Sequence, residues 1–159
     1  MKKLFIFLII ILLTGCNNNK TVIICSKEET FTRYFVEHLI DPNKEVGKNP
    51  NETGANILKT KEYYLKSSGK GLNRVIEKQK IEYLIETDLE KQKQFYENGC
   101  KYISEDYKTC IVNLDNNIIT ITAELNLNST NNKNLLQNVT KDDIILSANE
   151  EGNGSCKER

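Results

Sequence analysis

The chain belongs to the α+β class by its pattern, an antiparallel β-sheet with two or so helices packed on one face, and three observations predict this. Ile119, Ile121, Ala123 and Leu125 alternate with Thr120, Thr122, Glu124 and Asn126, the period of a strand with one buried face. Two strand-like runs, 57–66 and 72–86, flank the polar, glycine-rich stretch Ser67, Ser68, Gly69, Lys70, Gly71, which reads as a hairpin turn. Thr87 with Glu90 has the spacing of a capping box, and Thr140 with Asp143 implies another helix start. Helices and strands are segregated rather than strictly alternating, which favours helices on one face of an antiparallel sheet.

Taken in order, the β-branched run 21–25 is the first strand. Residues 31–40 leave two readings open. Ser26 and Glu29 could cap a helix with Phe31, Tyr34, Phe35, His38 and Leu39 on its inner face, yet the β-branched and aromatic content of 32–40 suits a second strand. Gly47, Pro50 and Gly54 among polar residues make 43–56 a long loop. In the second hairpin arm, Val75, Glu77, Gln79, Ile81, Tyr83 and Ile85 share a parity and predict one sheet face, with a continuous helix over 73–98 as the competing reading. Leu89, Gln92, Phe95 and Tyr96 mark the inner side of the following helix, and Gly99 is its expected C-terminal cap. Residues 110–113 and 118–127 form the next hairpin. The last helix turns Ile144, Ile145 and Ala148 inward and ends at Gly152.

The first residues read as an address. Lys2 and Lys3 precede an apolar run over 4–13, then Thr14, Gly15 and Cys16, the layout of a secretory signal. Ten residues at ~1.5 Å each reach only about half the ~30 Å hydrocarbon core, so this is not a permanent transmembrane helix. Leu13, Thr14, Gly15 and Cys16 resemble the lipobox of bacterial lipoproteins, which implies cleavage after residue 15 and lipidation of the Cys16 sulfur. The expected organisation is a signal peptide over 1–15, a lipidated N-terminus and short linker over 16–20, and one extracytoplasmic domain over 21–159. The implied location is the extracytoplasmic face of the cell membrane.

With Cys16 acylated, Cys25, Cys100, Cys110 and Cys156 remain for disulfides in an oxidising compartment, and three connectivities are possible. If 101–103 pairs antiparallel with 107–109, Cys100 faces Cys110 across a non-hydrogen-bonded pair at a separation that suits a disulfide. Cys25 and Cys156 are then left to each other.

The 159 residues hold one domain, and an apolar fraction of 38% leaves it a small core. Lys plus Arg and Asp plus Glu both count 22, so nothing in the overall charge supports nucleic acid as a partner. One His and no Trp provide few groups for catalysis, and no C-x-x-C or metal-ligand spacing occurs. No catalytic residue, metal or cofactor is therefore assigned. His38 has no indicated nucleophile partner, Asp142 with Asp143 and Glu150 with Glu151 diverge on a helix, and Ser67 to Gly71 lacks phosphate-loop spacing. The tyrosines 63, 64, 83, 96, 102 and 107 suit core packing better than a recognition surface.

Leu13 to Cys16, Val22 to Lys27 (VIICSK), Leu114 to Thr122 (LDNNIITIT) and Thr140 to Lys157, ending Gly-Ser-Cys-Lys, resemble the YehR-like small lipoproteins of bacteria. That family has no established biochemical activity, so the resemblance implies an anchor and a fold but no catalytic residues. Two functional classes follow. One is a non-enzymatic binding or accessory domain of the cell envelope, with an envelope protein or ligand as partner and the membrane reached through the lipid. The other is a small envelope hydrolase using paired carboxylates. A cleft holding a buried carboxylate pair with one raised pKa favours the hydrolase; a closed sheet surface favours the binding domain.

Overall fold

The computed structural model describes residues 21–45, 49–103, 105–150 and 154–159. The expected signal peptide over 1–15, the expected lipidation site Cys16 and linker over 16–20, and Gly152 lie outside the described residues. The fold is α+β, with six antiparallel strands in the order β4-β5-β3-β2-β1-β6 and four helices. The strands are β1 (Val22–Thr32), β2 (Thr53–Leu65), β3 (Leu72–Tyr83), β4 (Tyr107–Asp115), β5 (Ile118–Leu125) and β6 (Ser155–Glu158). The helices are α1 (Arg33–Ile40), α2 (Leu89–Tyr102), α3 (Thr130–Leu136) and α4 (Lys141–Glu150).

Successive hairpins lay down β1, β2 and β3. The turn between β2 and β3 closes with the Lys66 amide donating to the Gly71 carbonyl at 3.0 Å. Gly69 and Gly71 take φ of 73° and 76°, values that glycine adopts without a steric cost. After α2 the chain runs out along the edge as β4 and returns as β5 beside β3. Beyond α3 and α4 it crosses to the other edge, where β6 pairs with β1 over Ile23 to Ser26.

Registers align the inward side chains into five rows across the sheet. Phe31, Ala55 and Tyr83 form one row, and Glu29, Ile57, Ile81, Ile119 and Leu114 the next. Lys27, Lys59, Gln79, Ile121 and Val112 stand in the third, and Cys25, Lys61, Glu77, Ala123 and Cys110 in the fourth. Ile23, Tyr63 and Val75 begin the fifth. The core is accordingly split in two. Val36 of α1 and Tyr96 and Cys100 of α2 pack on Ile57, Ile81, Tyr83 and Ile119 at one end. Ile144 and Ala148 of α4 pack on Ile23, Cys25, Leu65, Val75 and Leu125 at the other.

Several expectations are met. Thr140 and Asp143 form a reciprocal capping box, with Asp143 Oδ2 accepting from the Thr140 amide at 2.9 Å and the Asp143 amide reaching Thr140 Oγ1 at 3.3 Å. Ile144 is buried and Ala148 packs inward. The hairpin around residues 114–117 forms with the expected alternation.

Others are corrected. Residues 31–40 are both strand and helix: β1 continues through Ser26 and Glu29 to Thr32, which then caps α1 by accepting from the Phe35 amide at 3.3 Å. Because β1 turns Phe31 toward the sheet's inner face, the helix starts in a phase that buries Val36 and Glu37 and leaves Tyr34 and Phe35 exposed. The loop is shorter than 43–56, since β2 starts at Thr53; residues 46–48 fall outside the described set. Asp88, not Thr87, caps α2, its carboxylate accepting from the Lys91 amide at 3.1 Å. Gly99 lies inside α2 rather than at its end, and residues 101–102 are helical instead of strand. The helix is held through this stretch by Tyr96 and Cys100, which pack against the buried cluster. The Asn-rich stretch after β5 contains α3, capped by Ser129 and tied to the Asp106 carboxylate through Ser129 and Asn131.

Candidate binding trough

Rows three and four, apart from the buried Val112, are the floor of an open trough of about 480 Å³ on the inner face of the sheet, between the two halves of the core. One wall is α2, which presents Phe95, Gly99 and Ile103 at spacings of four residues along its flank. Ser147 and Ala148 of α4, with Gly154, line the opposite side. The Cys100–Cys110 disulfide pins the last turn of α2 to β4 at a Cα separation of 5.6 Å, so this wall is covalently attached to the floor.

Charge is concentrated at the β1–β2–β3 part of the floor. Lys27 and Lys59 stand directly opposite each other on neighbouring strands, a like-charge pairing that is unfavourable by itself. Glu29 lies beside both and offsets it, with Nζ to carboxylate distances of 3.1 Å to Lys27 and 2.6 Å to Lys59. The Lys59 hydrogen bond, followed by that of Lys27, lowers the Glu29 pKa below the usual carboxylate value. Lys61 reaches Glu77 Oε1 at 2.6 Å, and the Tyr107 hydroxyl donates to Glu77 Oε2 at 2.9 Å. Burial, then the bond to Glu77, pushes the Tyr107 phenol up to about 12, so it stays a donor at neutral pH.

The cysteine pairs stand as expected, although the second is reached differently. Cys25 and Cys156 are a directly opposed pair on β1 and β6, bonded with Cα atoms 4.0 Å apart. Cys100 and Cys110 join a helix to a strand rather than two arms of a hairpin. His38 lies on α1, half-buried, with Nδ1 2.9 Å from the Tyr34 carbonyl and its ring stacked on Tyr34. It does not line the trough. Of the tyrosines, Tyr83 is core, Tyr63 and Tyr107 border the trough, Tyr64 donates to Glu62, and Tyr102 is exposed. Glu37 and Glu52 share the Arg33 guanidinium, and neither lines the trough.

The arrangement meets neither sequence-level criterion whole. There is a cleft, but the carboxylate among its described lining residues, Glu77, is held by Lys61, and Glu29, which bonds the lining lysines Lys27 and Lys59 from the neighbouring row, is shifted downward, the wrong direction for a general acid at neutral pH. Among the described residues no cluster of three or more His, Cys, Asp or Glu could hold a metal ion, and no helix is long and apolar enough to cross a membrane.

The trough residues escaped the sequence reading, although a signal was present. In β3, Glu77 and Gln79 interrupt the inward parity of Val75, Ile81 and Tyr83; in β2, Lys59 and Lys61 interrupt that of Ile57, Tyr63 and Leu65. Two neighbouring strands carrying polar pairs at matched positions of an apolar stripe point to a gap in the core. No protein-family model, curated protein or solved structure matches the chain.

Proposed function

We propose that this chain is a non-enzymatic binding or accessory domain, tethered to the extracytoplasmic face of the membrane by lipid on Cys16, and that the trough is its binding site. The observation that carries the reading is a cleft with charged floor and apolar walls lying where an α+β core would normally close. The lipobox-like Leu13 to Cys16 supports the tether, and the near-neutral composition gives nucleic acid no purchase. The YehR-like resemblance accords with an envelope lipoprotein.

Tethering is tested by fractionating cells that express Cys16→Ser, which should move from the membrane to the soluble envelope fraction; unchanged membrane attachment of the cleaved variant would refute the lipid anchor. Occupancy of the trough is tested by native mass spectrometry of protein purified from its own envelope, wild type beside Gly99→Phe. A Cβ on Gly99 meets nothing within 4 Å, so the larger ring fills space at the trough wall instead of displacing backbone. A small-molecule adduct carried by the wild type and lost in the variant supports the site; spectra that are the same for both count against it.

A further inference from the structure

We propose that the trough takes a single-chain anionic amphiphile, its head on Lys59 and Lys61 and its apolar part running under α2 toward β5 and β4. This rests on the trough being the binding site and adds the chemistry of what enters it.

The floor is polarised along its length. Following the third and fourth rows from β1 to β4, the side chains change from Lys27 and Lys59, with Lys61, through Gln79 and Glu77, to Ile121 and Ala123 and then the Cys100–Cys110 bridge. Five strands at ~4.8 Å spacing place the two ends about 19 Å apart. One end is cationic and the other is apolar, which is the complement of a head and a chain.

At the charged end, three lysines occupy adjoining positions on two strands, with Glu29 bonded to Lys27 and Lys59 and Glu77 bonded to Lys61. The three lysine side chains line the trough and retain between 34 and 46% of their exposure. At the apolar end, Phe95 and Ile103 each remain 44% exposed on the α2 wall, so a chain lying beneath them would remove apolar surface from water on both sides. The volume of about 480 Å³ is that of a small-ligand site, too small for a bilayer patch, and the apolar half would leave a polyanion unpaired.

The test is isothermal titration calorimetry on the mature chain from residue 16 carrying Cys16→Ser, which has neither the apolar run over 4–13 nor the acylated thiol, so that no detergent has to be present. Dodecanoate and dodecyltrimethylammonium are titrated below their micelle concentrations. Dodecanoate should bind at one per chain, and the cation at least about ten-fold more weakly, the size of one charge-assisted contact. Lys59→Gln with Lys61→Gln should weaken dodecanoate by about ten-fold or more, while Lys59→Arg should retain it. Raised ionic strength should weaken the wild type more than the glutamine variant. A melting curve separates any folding defect from lost binding. Equal affinity for the two probes, dodecanoate binding indifferent to the glutamine substitutions, or no binding of dodecanoate would overturn the anionic-amphiphile assignment and leave the trough to be judged by its native adduct. Dodecanoate binding unchanged by Gly99→Phe would overturn the trough as the site for this ligand.

Discussion

Gln92, wholly buried on α2, donates through Nε2 to the Val36 carbonyl of α1 at 2.9 Å. Its Oε1 accepts from the Tyr83 hydroxyl at 3.2 Å, so one side chain joins both helices to the sheet. Replacing it with Leu removes the acceptor of the Tyr83 hydroxyl, which is left with Tyr96 alone, and the side-chain donor to Val36. Leaving a buried polar group unsatisfied costs about 1–3 kcal/mol. Gln92→Leu should therefore lower the urea midpoint with little change in slope, and an unaltered midpoint would show that this link adds nothing to stability.

Two glycines should respond to alanine with opposite signs. Gly99 is helical with open space around its missing Cβ, and Ala is favoured over Gly in a helix interior by about 1 kcal/mol, so Gly99→Ala should raise the melting temperature by about 3 °C. Gly71 has φ +76°, and its Cβ would meet the Gln137 carbonyl oxygen. Gly71→Ala should destabilise by more than Gly99→Ala stabilises. Thermal melts of both variants check the contrast.

How far the sequence reveals the fold follows from where each residue faces. The hairpin over β4 and β5 is legible because Ile119, Ile121, Ala123 and Leu125 meet the core while their neighbours meet solvent. The start of α4 is legible because its capping box is local. The end of α2 is not, since Gly99 carries a stop signal that packing of Tyr96 and Cys100 overrides. The trough is the least legible part: Glu77 and Gln79 share the parity of Val75 and Ile81, but one strand alone does not show that Lys59 and Lys61 stand beside them, and the cross-strand register is what joins the four into a gap in the inward stripe.

The two disulfides should differ in their effect. Cys25 and Cys156 are separated by 131 residues and Cys100 and Cys110 by 10. In the chain-entropy account the long closure restricts the unfolded state by about 5 kcal/mol and the short one by about 3. Cys25→Ala with Cys156→Ala should thus shift the denaturant midpoint further than Cys100→Ala with Cys110→Ala. Peptide mapping without reduction should recover Cys25 with Cys156 and Cys100 with Cys110; a Cys25 to Cys100 peptide would refute this strand order.

Acid should weaken the domain through its cross-strand ion pairs. Glu29 is held below its ordinary pKa of 4.5 first by the hydrogen bond from Lys59, Glu62 by that from Lys78 and Glu124 by that from Arg74. A carboxylate whose folded pKa is depressed contributes stability that is fully present above its unfolded value. That contribution fades as pH falls through the lower folded value. Urea midpoints should accordingly stay level from neutral pH down to about 5 as far as these groups are concerned, then decline below the unfolded value. The cations of all three pairs remain 46–49% exposed at the surface, so the acid limb should be shallow and should flatten further in high salt. Glu124 faces both Arg74, at 2.6 Å, and Lys108, at 3.4 Å, which makes Glu124→Gln the informative variant. It should lower the neutral-pH midpoint slightly and reduce the acid slope, and an acid limb as steep as that of the wild type would show that this ion pair has no part in it.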